Sequence, residues 1–298
     1  MRGFFNSHTG ATVQALLVTF LWSTSWVLIK LGLIEIPALT FAGLRYGIAF
    51  LCLLVYMLAA RQTSPVKSLT IRQWGLLFLF GITFFAIVQG VQFFGLAYLP
   101  AATISLILNF TSLMVALMGL LWLSEQPGWL GWLGIVLSVS GALVYFYPVG
   151  FPASQLMALL IVVFGMFVNA FSGVLGRYIN HNEGIPALTV TTVSMGVGSA
   201  LLLAGGIVLQ GMPHISTRGW LIIGWLAVVN TAFAFTLWNF TLRTLEAMES
   251  SVINSSMLIQ VALLAWIFLG ESLSVKEWIG LLLAGFGVLL VQLRSTRK

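Results

Sequence analysis

Side chains able to do bond-making chemistry are few in this chain, and their placement excludes most enzyme classes. There are seven glutamates and no aspartate among 298 residues, so aspartate dyads and Asp-rich magnesium motifs are absent. The three histidines, His8, His181 and His214, fall in the N-terminal tail or in connections, and the lone Cys52 lies within an apolar run. No disulfide can close within the chain, and no zinc-ligand spacing is present. None of the four lysines follows a glycine, so no phosphate-binding loop of the Walker type exists. The sequence implies no cofactor and no metal, and transport, if that is its work, must run on gradients.

The remaining candidates are polar or aromatic residues set inside apolar stretches at helical spacing. Residues three and four apart share a helix face, and polar groups at that spacing usually point toward protein or a wet cavity. Ser105, Asn109 and Ser112 form one such stripe, and Ser251, Asn254 and Ser255 form a second. Small polar residues also act as interhelical glue, which is the simpler role for the serines. Trp22-Ser23-Thr24-Ser25-Trp26 puts two indoles one turn apart near mid-span, where either packing or a stacking wall for an apolar or aromatic substrate would use them. Gln89, Gln92, Asn169, Asn230, Trp238 and Asn239 add polar and aromatic groups at comparable depth. Arg45 falls about seven residues into its span, roughly 10 Å deep at 1.5 Å per residue. It could snorkel to the interface, or it could attract a substrate carboxylate. Glu125 and Glu271 read as structural, capping the next helix or pairing with a base. Glu249 is the one carboxylate placed close to a permeation path.

These residues need a membrane scaffold. With 60% apolar and 7% charged residues and a mean hydropathy of +1.06, the chain cannot cover a soluble surface. Ten spans are expected, at about 12–32, 38–59, 73–96, 100–122, 128–148, 154–176, 186–209, 218–241, 248–269 and 274–293. The first has no cleavage site and is not a removable signal. An even count puts both termini on one side. Nine basic residues share that side (Arg2, Arg61, Lys67, Arg72, Arg177, Arg243, Arg294, Arg297 and Lys298) against Lys30, Arg218 and Lys276, which places the termini in the cytoplasm. The net charge of +6 beside apolar spans suits anionic lipid, not nucleic acid.

The chain also repeats itself. Ile36-Pro37-Ala38-Leu39-Thr40 recurs as Ile185-Pro186-Ala187-Leu188-Thr189, and from Arg72 onward an offset of 146 pairs the halves without a gap. It matches Arg72 with Arg218, Trp74 with Trp220, Ser105 with Ser251, Glu125 with Glu271, Gly134 with Gly280 and Gly141 with Gly287. Composition alone would match leucines, not Arg, Trp, Glu and Gly. The expected division is 1–150 and 151–298, two five-helix repeats. An odd number of spans per repeat makes them inverted, a plan common among secondary transporters. Glycines 131, 134, 141, 280, 285 and 287 read as close-packing positions.

Each half resembles the EamA repeat of the drug/metabolite transporter superfamily. The resemblance rests on Phe94-Gly95-Leu96-Ala97-Tyr98-Leu99-Pro100-Ala101 followed by Leu123-Ser124-Glu125, on Phe240 to Ala247 followed by Leu269-Gly270-Glu271, and on Arg45 with the aromatic after it. It covers nearly the whole chain and implies an all-α, ten-helix membrane transporter of small metabolites, often amino acids, with a central cavity. A proline common in that family is replaced by Ser112 and Leu258, which leaves the bends of the fourth and ninth helices for the structure to decide. The expected function is export of small metabolites such as amino acids by alternating access. A lipid or lipid-linked sugar flippase of the same fold is the alternative, and a membrane-embedded enzyme is disfavoured because no nucleophile with its base is present. The expected substrate-binding set is Trp22, Trp26, Arg45, Gln89, Gln92, Asn109, Asn169, Asn230, Trp238 and Asn254, in an inner-membrane protein whose partners are a small molecule and lipid; a monomer is compatible with the sequence.

Overall fold

The structure is a computed structural model that describes residues 7–60, 66, 68–115, 129–147, 152–241, 244, 245 and 247–295. Glu125 and the side chains of Asn239, Glu249 and Ser251 lie outside the described residues. The helices are α1 (His8–Gly32), α2 (Ala38–Ala59), α3 (Ile71–Phe80, Gly81–Val88 and Gln89–Tyr98), α4 (Ala101–Asn109) and α5 (Trp129–Phe146). The second half supplies α6 (Ala153–Asn182), α7 (Ala187–Gln210), α8 (Thr217–Ala227, Val228–Phe233 and Ala234–Thr241), α9 (Ala247–Ser255 and Met257–Leu269) and α10 (Val275–Ser295). Among the described residues, 8 helices are long and apolar enough to cross a membrane. Their outer faces carry large exposed apolar side chains, such as Leu143 on α5 and Phe164 on α6, which need lipid rather than water against them.

Punctuation in the sequence sets the helix starts, and the two halves use it alike. Pro37 and Pro186, from the repeated pentapeptide, are the N-cap residues of α2 and α7, with φ of −60° and −57°, where a missing backbone N–H costs nothing. Thr70 caps α3 by accepting from the Gln73 amide, and its counterpart Ser216 caps α8 by accepting from Gly219.

The irregularities repeat as well. Inside α3 the stretch Gly81–Val88 is π-helical, and inside α8 so is Val228–Phe233, which the offset of 146 superposes. α4 is interrupted by a turn at Phe110, whose amide bonds to Ile107 O, and α9 by one at Ser256, whose amide bonds to Ile253 O. Positions 110 and 256 are again 146 apart. Both helices are therefore interrupted with Ser112 and Leu258 in place of proline, each at a tight three-residue hydrogen bond.

By packing, the chain divides into two compact units: residues 1–27, 99–163 and 234–298, and residues 28–98 and 164–233. Each draws on both sequence halves. In the first unit α5 and α10 lie antiparallel. A Cβ built on Gly134 would sit 2.6 Å from Gly287 O, and one on Gly141 would sit 2.6 Å from Gly280 O. Since Gly134 pairs with Gly280 in the repeat and Gly141 with Gly287, the contact is reciprocal, as a two-fold between inverted repeats requires. The second unit holds the matching antiparallel pair of α2 and α7, where Gly43 meets the Leu203 backbone and Gly206 meets that of Thr40.

Glu271 is structural, as its repetition suggests, but it caps a different helix from the one expected. Its carboxylate accepts from the Ala101 and Ala102 amides at the start of α4, at 2.9 and 3.4 Å. Gly270, at a left-handed φ of 67°, closes α9 and lets the chain reverse there, with the Glu271 amide bonded back to Ala265 O. The helix α10 that follows is capped instead by Ser274 and Glu277, which bond each other's amides.

Candidate functional site

In the first unit an aromatic wall forms around α1. The Trp22 ring centroid lies 5.1 Å from that of Phe235 and 5.3 Å from that of Trp238, tilted by 53° and 48°, ordinary geometry for packed aromatics. The Trp22 Nε1 is buried with no hydrogen-bond partner, and so is the Asn109 Nδ2 on α4. Behind the indole, α1 and α9 are joined by a satisfied network. Ser23 Oγ donates to Gln260 Oε1 at 3.1 Å, and Gln260 Nε2 donates to Ser256 Oγ at 2.9 Å and to Thr19 Oγ1 at 3.3 Å. That network ties α1 to α9 beside Trp22, so Trp22 is held by its neighbours and not by its own N–H. Trp26 is buried on the same helix, and Asn254 is on the exposed side of α9.

In the second unit the polar candidates converge on α2. Arg45, 4% exposed, turns inward instead of snorkelling. Its Nε donates to Thr231 Oγ1 at 3.1 Å, and its guanidinium carbon stands 5.1 Å from the Tyr46 ring centroid and 5.9 Å from that of Phe93, within cation–π range. Tyr46 donates to Gln89 Oε1 at 2.6 Å and packs edge-on against Phe85. Thr231 lies in the π segment of α8 and Phe85 in that of α3. They are equivalent positions of the two repeats, so adjacent residues of α2 grip the two irregular segments at matched points. Asn230, fully buried, sits beside Thr231; Gln92 and Asn169 are half-buried.

The structure thus joins Trp22 to Trp238 and Arg45 to Gln89 by way of Tyr46. It adds Phe235, Gln260, Phe93 and Thr231, which the sequence reading did not single out, and gives partners to Tyr46, which entered there only as the aromatic after Arg45. Ser256 and Gln260, four apart on an apolar helix, were a readable stripe. The others make long-range contacts with no local signature. Among the described residues no group of three His, Cys or Glu side chains could hold a metal ion.

Comparison with known proteins agrees with this architecture. The model of the EamA-like transporter family matches twice, over residues 10–147 and 156–293. The chain belongs to the EamA-like transporter family. Similar proteins include the transporter YvbV of Bacillus subtilis, 26% identical over 95% of this chain and 93% of that one. The inner membrane transporter YedA of Escherichia coli is 28% identical over 92% of this chain and 87% of its own length. A Salmonella typhimurium protein named a probable amino-acid metabolite efflux pump is also 28% identical, over 95% of each chain. A solved structure, described as the crystal structure of a protein, shares the fold with a TM-score of 0.68 at 17% identity, covering 98% of this chain and 100% of that one. As a member of this family, the protein is a multi-pass membrane transporter.

Proposed function

We propose that this EamA-family member exports small, partly apolar metabolites, amino acids or their close relatives, across the inner membrane, with both termini in the cytoplasm and no chemical change to the cargo. The observation that carries this reading is the pair of buried donors, Trp22 Nε1 and Asn109 Nδ2, that make no hydrogen bond, one of them set in the aromatic wall formed with Phe235 and Trp238. A buried donor left unpaired costs stability, and its retention is explained if cargo supplies the acceptor. Stacking surface plus a few fixed donors suits a molecule with an apolar body and polar groups. The similarity to the Salmonella typhimurium efflux pump supports the same class. The inverted repeats would exchange conformations to open the site to alternate sides.

The test is counterflow. Liposomes holding the purified protein are loaded with unlabelled amino acids and given labelled Phe, Met or Thr outside, with and without a pH gradient. Uptake that needs the internal pool and falls at least tenfold in Trp22→Ala or Asn109→Ala supports the reading. No uptake of any amino acid sinks the substrate class and leaves family membership intact.

A further inference from the structure

Arg45 presents a problem that packing alone does not solve. A guanidinium buried in a membrane protein is retained only where something compensates its charge, and that compensation is usually a carboxylate. None of the described carboxylates serves. Glu35 accepts from Ser216, Glu183 pairs with Arg72, Glu271 caps α4 and Glu277 bonds Ser274. No ion pair of Arg45 occurs among the described residues. What surrounds it instead is a neutral hydroxyl and two aromatic faces.

That arrangement orients the guanidinium and leaves its charge unspent. Thr231 takes the Nε hydrogen, so the outer edge, with the two terminal nitrogens, is the part still able to form a fork of parallel bonds. The rings of Tyr46 and Phe93 hold the plane without supplying an anion. Gln89 is engaged through its Oε1 by Tyr46, which leaves its amide nitrogen as a donor. The same positions in the other repeat have diverged: Gln89 and Gln92 correspond to Phe235 and Trp238, so hydrogen-bonding groups stand on α3 where α8 carries part of the aromatic wall.

We infer that Arg45 is the anion anchor of this transporter: it takes the carboxylate of the cargo end-on through its terminal nitrogens, with Thr231, Tyr46 and Phe93 as positioning residues. This rests on the proposed function and narrows the cargo to molecules bearing a free carboxylate. Amines and amides of the same body would be poor substrates.

The test compares acid with amide. In the counterflow assay phenylalanine competes with label at least about tenfold better than phenylalaninamide in the wild type, the scale of a lost charge-assisted fork. Arg45→Gln removes that preference and raises the KM for the acid while leaving competition by the amide unchanged. Arg45→Lys, which keeps the charge but not the fork, retains a reduced preference, and Thr231→Val, which frees Nε, does the same. If the folded Arg45→Gln protein keeps the wild-type acid-to-amide ratio, the inference is overturned and Arg45 is only a clasp between α2 and α8. Should Arg45→Gln fail to fold, an unchanged ratio in both Arg45→Lys and Thr231→Val overturns it equally. A second measurement separates this from the function itself: protection against thermal unfolding in detergent by phenylacetate but not phenylacetamide, reduced in Arg45→Lys and lost in Arg45→Gln, supports the anion site even where no amino acid is carried. Equal protection by both, with amino-acid transport intact, overturns the anion site alone.

Discussion

Trp22 and Asn109 each hide a donor that no described acceptor meets, and this makes the effects of substitution separable. An unsatisfied buried donor costs about 1–3 kcal/mol. Trp22→Phe deletes the N–H yet keeps most of the ring surface against Phe235 and Trp238, so the melting temperature in detergent should stay the same or rise. Transport should suffer, with KM up about fivefold to tenfold for the loss of one hydrogen bond to cargo. A variant that melts markedly lower with unchanged KM would assign Trp22 to packing alone. These two residues were readable beforehand, since helical spacing put them on apolar helices at depth. Tyr46, Phe93 and Thr231 were not, because what matters about each is a neighbour far away in sequence; Arg45 to Thr231 spans 186 residues.

The helix pairs that hold each unit together are glycine contacts, and their tolerance is predictable from what a side chain would meet. A Cβ at Gly141 would stand 2.4 Å from the Ala284 nitrogen, a backbone atom that cannot yield without moving α10. Gly141→Leu should lower stability by more than about 2 kcal/mol in thermal or denaturant unfolding. Gly75→Ala, with nothing within 4 Å, should be neutral or slightly stabilising, because alanine lowers the cost of ordering a helix. Equal effects at the two sites would refute the packing role. Glu271→Ala removes the acceptor for two amides of α4 and should cost about 0.5–2 kcal/mol, with Glu271→Gln losing less. The sequence marked Gly141 and this glutamate by repetition. Which helix Glu271 caps was hidden, because a cap depends on where the end of α9 lies in space. The interruptions at Phe110 and Ser256 were equally hidden, since they are backbone hydrogen bonds that no single residue type demands.

At the scale of the whole molecule the inverted repeat makes a claim about sidedness. On a Cys52→Ala background, Ser68→Cys between α2 and α3 and Met212→Cys between α7 and α8 occupy corresponding connections of the two repeats. A membrane-impermeant thiol reagent should label Met212→Cys on intact cells and Ser68→Cys only after the membrane is opened. Labelling of both from one side would overturn the inverted topology. The sequence by itself determined that the chain must live in lipid, because twenty carboxylate, ammonium and guanidinium side chains spread over 298 residues cannot solvate a surface. It determined the duplication too, because identities survive at fixed spacing whatever the fold. Only the tertiary structure decided how helices from the two halves sort into compact units and that Arg45 has no described carboxylate beside it. Pairing between distant helices is set by the fit of side chains across an interface, and one-dimensional periodicity records which face is polar but not what that face meets.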